Sequence, residues 1–270
     1  MPPPPPLPSA QPEFAAAESG PGAAIEVTNL FKVYGNKQAV AGLSLTVPRG
    51  CFFGFLGPNG AGKTTTIRML MGLAPPTAGS IRMLGLQLPE DSLAIRRLIG
   101  LVPDDTLLFD HLTGGEFLEF VGRIYGLPRD LTRQRARELL ALFELDGDHQ
   151  KLIAEYSKGM RKRVAMAASL IHAPQLYLMD EPFEGVDAVG ARLMKDILLD
   201  QVRRGATIFL TSHVLDVVER LCERVAIIHD GRLVMEGTTE ELRRGDETLE
   251  EIFVRTVGGR RSTENLDWLA

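Results

Sequence analysis

Cysteine is nearly absent: Cys51 and Cys222 are the only two in 270 residues, far apart and each in or beside an apolar run. Two such residues make neither a disulfide framework nor the paired spacing of a zinc site. They read as reduced, buried thiols. There is one tryptophan, Trp268, in a polar C-terminal stretch. No run reaches the roughly 18–20 apolar residues that cross a bilayer. The most apolar stretches, such as QLYLM (175–179), have only the length of a strand. The N-terminal stretch MPPPPPLPSAQPEFAAAESGPG has no basic residue and no apolar core, so it does not read as a secretory signal. Neither charge dominates: 30 Lys and Arg stand against 35 Asp and Glu, a net charge of −5. A mildly acidic chain lacks the basic face of a non-specific nucleic-acid binder, and no nucleic-acid partner is expected. These absences point to a cytoplasmic chain.

Proline is concentrated in residues 1–22, which predicts an unstructured Pro/Ala-rich tail. Structured patterning begins near Ile25. Residues 25–30 and 39–47 alternate as strands do, and CFFGFLG (51–57) is a buried strand running into a glycine-rich turn. A helix is expected over 63–73, and strands over 79–85 and 98–103. From Thr113 to Ala173 long helical patterns take over. Strand–helix alternation then resumes with QLYLMD, a helix over 191–205, ATIFLTS, a helix over 214–224, and a strand pair joined at Asp230-Gly231. A short helix is expected over 247–256. The overall pattern is that of an α/β fold.

Residues Gly57, Pro58, Asn59, Gly60, Ala61, Gly62, Lys63, Thr64 and Thr65 match the phosphate-loop pattern G-x-x-x-x-G-K-[ST]. The glycines let the backbone turn its amides inward, and the helix that follows adds its positive end. Lys63 supplies a mobile cation for the β- and γ-phosphates, and Thr64 a hydroxyl for Mg²⁺. Downstream, QLYLMDEP puts Asp180 and Glu181 at the end of an apolar strand. One carboxylate holding metal and the next polarising a water suits phosphoryl transfer to water.

With these motifs the chain resembles the ATP-binding subunits of ABC transporters, from Ile25 to Val254. YSKGM (156–160) is similar to the family's signature motif and EGVD (184–187) to its D-loop. TSH ends on His213, where the family has its switch histidine, and KVYG carries Tyr34 at the adenine-stacking position. The wording of YSKGM and FEGVD is closest to single-domain subunits of ABC-2-type exporters. The resemblance implies a P-loop NTPase core with an antiparallel β subdomain and an α-helical insert at about 113–173. Its bounds would be an ATPase domain of residues 23–255 between tails 1–22 and 256–270.

The resemblance further implies a head-to-tail dimer, with itself or a related subunit, that closes two ATP molecules between P-loop and signature motif. Ser157 capping a helix, with the Gly159 amide and the helix dipole, makes a second anion site consistent with this. Catalytic roles then fall to Glu181, His213 and Lys63. Metal contacts fall to Thr64, Asp180 and Asp104, and Asp187 shapes the dimer interface. ATP and Mg²⁺ are the expected cofactors. Separate transmembrane permease subunits are the expected partners, with the chain peripheral on the cytoplasmic face of the cell membrane.

Two departures from the family pattern stand out. Asp104, followed by Asp105, occupies the position of the usual glutamine, one methylene shorter and without an amide donor. Slower or more metal-sensitive turnover is the expectation. Lys158 replaces a glycine and Met160 a glutamine in the signature; Lys158 is either a solvated lysine or a partial counterweight to Asp104. A soluble ABC-type ATPase acting on ribosomes or DNA, or a regulatory subunit with little turnover, are the alternatives. A P-loop GTPase is disfavoured, because no guanine-reading Asn/Thr-Lys-x-Asp motif is present.

Overall fold

The structure, a computed structural model, describes residues 22–104, 108–148, 150–243 and 247–258. Residues 1–21, Asp105, Trp268 and the C-terminal tail from 259 lie outside the described residues. Two sheets organise the chain. The smaller is antiparallel, with β1 (Ala23–Tyr34), β2 (Lys37–Pro48), β4 (Ala78–Met83) and β5 (Leu86–Leu88) in the order β2-β1-β4-β5. The larger has six strands: β3 (Phe52–Leu56), β6 (Ile99–Val102), β7 (Leu176–Asp180), β8 (Thr207–Ser212), β9 (Arg224–His229) and β10 (Arg232–Thr238). Their order is β10-β9-β3-β8-β7-β6, parallel throughout except for β10.

Strands β3, β7 and β8 are buried along their whole length, as parallel strands covered on both faces are. Alternate side chains feed two cores. Phe52, Leu56, Tyr177, Met179, Ile208 and Leu210 pack on one face. Phe53, Phe55, Leu176, Leu178 and Phe209 pack on the other. Phe53 stacks on Phe209 with centroids 5.8 Å apart. The second core is shared with the antiparallel sheet and with α1 (Lys63–Leu70). The first is shared with α3 (Gly114–Ile124), α4 (Arg129–Leu142) and α5 (Lys158–Leu170), which follow β6 and α2 (Ser92–Leu98).

Several boundaries differ from those read in the sequence. Helix α1 stops at Leu70 rather than 73. Gly72 adopts φ +66°, and the Gly72 and Leu73 amides return to the Met69 and Arg68 carbonyls, a Schellman close. Strand β1 runs to Tyr34, because a bulge at Asn29 (φ +46°) shifts its register and hides the alternation beyond Leu30. Residues 86–97 carried no sequence reading, yet hold β5 and most of α2, which also takes Leu98 from the strand expected over 98–103. Other starts have a plain local cause. The Thr113 side chain caps α3 in a capping box with Glu116, and Ser157 caps α5 through the Met160 amide at 3.2 Å. The chain closes through α6 (Ala188–Arg203), α7 (Leu215–Leu221), α8 (Thr239–Leu242) and α9 (Leu249–Val257).

Both thiols are free and buried, and burial pushes the Cys51 pKa up to about 12. Among the described residues, no helix is long and apolar enough to cross a membrane.

Candidate functional site

Because β3, β6, β7 and β8 run parallel, their carboxyl ends meet at one rim, where open α/β sheets bind ligands. The loop after β3 is Gly57–Gly62, that after β6 begins at Pro103-Asp104, that after β7 at Glu181, and that after β8 at His213. A cavity of about 680 Å³ opens there. It is lined by the P-loop, Thr64, Asp104, Asp180, Glu181 and His213, with Lys37, Glu184, Ser212 and Phe253 at its walls.

The P-loop is shaped for an anion. Gly62 takes φ +111° directly ahead of α1, and a Cβ there would fall 2.5 Å from the Ala39 carbonyl oxygen, so only glycine fits. Lys63 is buried and folds back on the loop, donating to Gly57 O at 2.7 Å and Pro58 O at 3.3 Å. Burial lowers its pKa from the usual lysine value, against the opposing pull of Glu181 and Asp180. Thr64 is exposed toward the cavity.

Asp180 is buried, and its Oδ1 accepts a hydrogen bond from the Thr211 hydroxyl on the neighbouring strand. Glu181 turns into the left-handed region at φ +46°. Its amide donates to Thr211 O at 3.2 Å, and its Oε1 lies 3.0 Å from His213 Nδ1. The structure therefore brings together two residues that the sequence offered separately. Metal chemistry is testable against the donor set. Asp180 and the Thr64 hydroxyl offer hard oxygen donors in one cavity, and among the described residues no cluster of three or more His, Cys, Asp or Glu forms a protein-only cage. This fits Mg²⁺, which takes one or two protein ligands plus phosphate oxygens and water.

Of the other residues singled out in the sequence, Tyr34, Ser157, Gly159 and Asp187 do not line the cavity. Tyr34 is about half exposed, with Lys32 Nζ 4.9 Å from its ring centroid; its cross-strand partner Lys37 lines the cavity and Tyr34 does not. Ser157 and Gly159 open α5, where Gly159 abuts the Gly185 carbonyl. Asp187 caps α6, accepting from the Gly190 amide at 2.9 Å, and that bond lowers its pKa. Asp104 Oδ1 lies 3.8 Å from Lys162 Nζ, so the cation beside it is Lys162. Lys158 instead pairs with Glu184 at 2.7 Å. Sequence reading gave no role to Thr211, Glu184, Phe253 and Lys162. Thr211 lies in TSH and Glu184 in EGVD, so both could have been suspected, while Phe253 and Lys162 carry no motif signal.

A P-loop, a strand-end Asp-Glu pair and a histidine around one cavity of about 680 Å³ define a nucleotide-hydrolysing P-loop ATPase. The sequence pattern described as "ABC transporter" matches residues 40–184, and the chain belongs to that family as an ATP-binding subunit. It is 41% identical over 223 residues to the daunorubicin/doxorubicin resistance ATP-binding protein DrrA of Streptomyces peucetius, covering 83% of this chain and 68% of that one. It is 40% identical over 222 residues to the Nod factor export ATP-binding protein I of Paraburkholderia xenovorans, covering 82% and 73%. Among solved structures, an ATP-binding subunit of an ABC transporter superposes with TM-score 0.81 at 32% identity, covering 86% of this chain and 99% of that one. A dimeric ATP-binding cassette in a post-hydrolysis state with ADP and phosphate superposes with TM-score 0.74 at 25% identity, covering 80% and 98%.

Proposed function

We propose that the chain is the ATP-hydrolysing motor of an exporter, peripheral on the cytoplasmic face of the membrane, working on separate transmembrane permease subunits. The observation that carries the reading is the convergence of the P-loop, Asp180 and the Glu181–His213 pair at one rim of the parallel sheet. The export names of the relatives support the direction of transport.

In this reading the P-loop amides and Lys63 hold the β- and γ-phosphates. Lys63 exchanges its two loop carbonyls for phosphate oxygens on binding. Thr64 and Asp180 hold Mg²⁺, which supplies neutralisation of charge on the transferring phosphoryl group. Glu181 accepts a proton from the attacking water, and His213 orients the Glu181 carboxylate. Asp104, which lines the same cavity, would be a further oxygen donor to that metal.

Ser157 and Gly159 do not line this chain's own cavity. Their amide-rich helix start serves the partner's nucleotide, which makes the working unit a head-to-tail pair with itself or a related subunit. Asp187, capping α6 nearby, shapes that interface, and Tyr34 offers its exposed ring to adenine at the edge of the site. The dimeric solved relative with ADP and phosphate supports the pairing.

The test is phosphate release and ATP-dependent dimerisation of the purified chain beside Glu181→Gln. The reading expects turnover by the wild type, and an ATP-bound dimer that accumulates in the variant. A Glu181→Gln variant that hydrolyses ATP at the wild-type rate removes Glu181 from the chemistry.

A further inference from the structure

Lys162 lies one turn into α5, on the face that carries the buried Ala165, Met166 and Ser169. Only 1% of its surface is exposed. An ammonium taken out of water is costly unless its protons are satisfied. Here all three are used: Nζ donates to Asp104 O at 2.7 Å, Glu181 O at 3.1 Å and Pro103 O at 3.2 Å. The Asp104 carboxylate is near, its Oδ1 3.8 Å away, and the charges of Glu184 and Asp180 also favour the ammonium. The cation therefore ties together three separate backbone segments: the start of the signature helix, the end of β6 and the end of β7.

The third of these is unusual. Glu181 is a non-glycine residue at φ +46°, a conformation that persists only where the surroundings over-determine it. Its amide is held by Thr211 O at 3.2 Å. Its carbonyl accepts from Lys162 and, at 3.3 Å, from the Glu184 amide that closes the following turn. This backbone setting presents the carboxylate to the cavity and to His213.

We infer that Lys162 is a positioning residue for hydrolysis, a buried cation that holds the Glu181 backbone in its left-handed setting and couples it to the Asp104 segment. The inference rests on the reading of Glu181 as the base that activates water. Lys162 is not among the residues lining the cavity; it acts through the carbonyls it binds. Its loss should therefore slow the chemical step while leaving ATP binding, which belongs to the P-loop, in place.

The experiment compares wild type with Lys162→Met, Lys162→Arg, Lys162→Gln and Glu181→Gln. For each, kcat for phosphate release, Kd for a fluorescent ATP analogue and the melting temperature are measured. Lys162→Met should bind the analogue within about twofold of wild type yet lose at least about tenfold in kcat, since small misplacements of a catalytic group have effects of this size or larger. Lys162→Arg should recover most of the loss. A kcat for Lys162→Met within twofold of wild type overturns the inference. So does a fall in affinity matching the fall in kcat, which a merely structural role would produce. Should the Met variant not fold, Lys162→Gln carries the test: a reduced kcat with intact affinity, rescued in Arg, supports the inference, and a wild-type kcat overturns it. If Glu181→Gln abolishes turnover while Lys162→Met spares it, only this inference fails. If Glu181→Gln retains turnover, the base assignment fails and takes the inference with it.

Discussion

His213 Nδ1 stands 3.0 Å from Glu181 Oε1, although 31 positions of sequence separate His213 from Pro182, the residue after Glu181. The two follow neighbouring parallel strands, β8 and β7, whose carboxyl ends lie side by side. His213 is half exposed and Glu181 largely covered, so the imidazole closes the solvent side of the carboxylate. His213→Ala should lower kcat by about 10²-fold with ATP affinity retained, because a carboxylate that loses its orienting partner still leaves the P-loop intact. Phosphate release and nucleotide titration check this. An unchanged kcat with weakened affinity would assign His213 to ground-state phosphate binding instead.

Thr211 donates its hydroxyl to Asp180 Oδ1 at a fully buried position. Thr211→Val keeps the shape and removes the donor. A buried carboxylate short of one hydrogen bond costs about 1–3 kcal/mol, so the melting temperature should fall by several degrees at roughly 2–4 °C per kcal/mol. The Mg²⁺ concentration for half-maximal turnover should rise as well. Calorimetry and a Mg²⁺ titration of phosphate release measure both; unchanged values in both would dismiss the Thr211–Asp180 bond as incidental.

Asp104 adds a fourth carboxylate to the cavity lining beside Asp180, Glu181 and Glu184, at the position where the family resemblance implies glutamine, and its Oδ1 lies 3.8 Å from Lys162 Nζ. Asp104→Gln should raise kcat several-fold and flatten its Mg²⁺ dependence, through loss of negative charge beside the phosphates and gain of an amide donor. The idea fails if neither rate nor Mg²⁺ dependence moves.

His172 is buried with its ring stacked 3.6 Å from that of Tyr125, and Nε2 lies 3.0 Å from Ile99 O. Burial, aided by Arg135 and opposed by the Ile99 bond, lowers its pKa from 6.5 to about 4. The folded form thus binds its proton more weakly than the unfolded form. Its stabilising contribution is complete above pH 6.5 and is lost as pH falls toward 4. At ~1.4 kcal/mol per pH unit the loss is roughly 3 kcal/mol across that window. His172→Phe, which keeps a ring against Tyr125, should melt at nearly the same temperature at pH 5 and pH 7.5, while the wild type should melt several degrees lower at pH 5. Equal acid sensitivity of the two proteins would place the effect elsewhere.

Much of the site was legible because its chemistry is written in short contiguous motifs. The phosphate loop needs glycine at Gly62 and a cation next to it, whatever surrounds them. The Ser157 cap and the start of α5 are equally local. Lys162 was not legible: in SKGMRKRV it is one of four basic residues, and which of them is buried depends on the face that α5 turns to the sheet. Tyr34 was singled out by its motif as the proposed adenine contact; the β1–β2 hairpin adds that its cross-strand partner Lys37 lines the cavity.

By itself, then, the sequence determined the identity and chain order of the phosphate-binding and carboxylate motifs, the strands that carry them and the caps that begin α3 and α5. Each of these depends on residues within a few positions of one another. The tertiary structure alone decided that Glu181 meets His213, that Thr211 holds Asp180 and that Lys162 binds three carbonyls from two loops. Those pairings depend on which parallel strands become neighbours and which helix face is buried, and burial of the whole chain's apolar surface sets both.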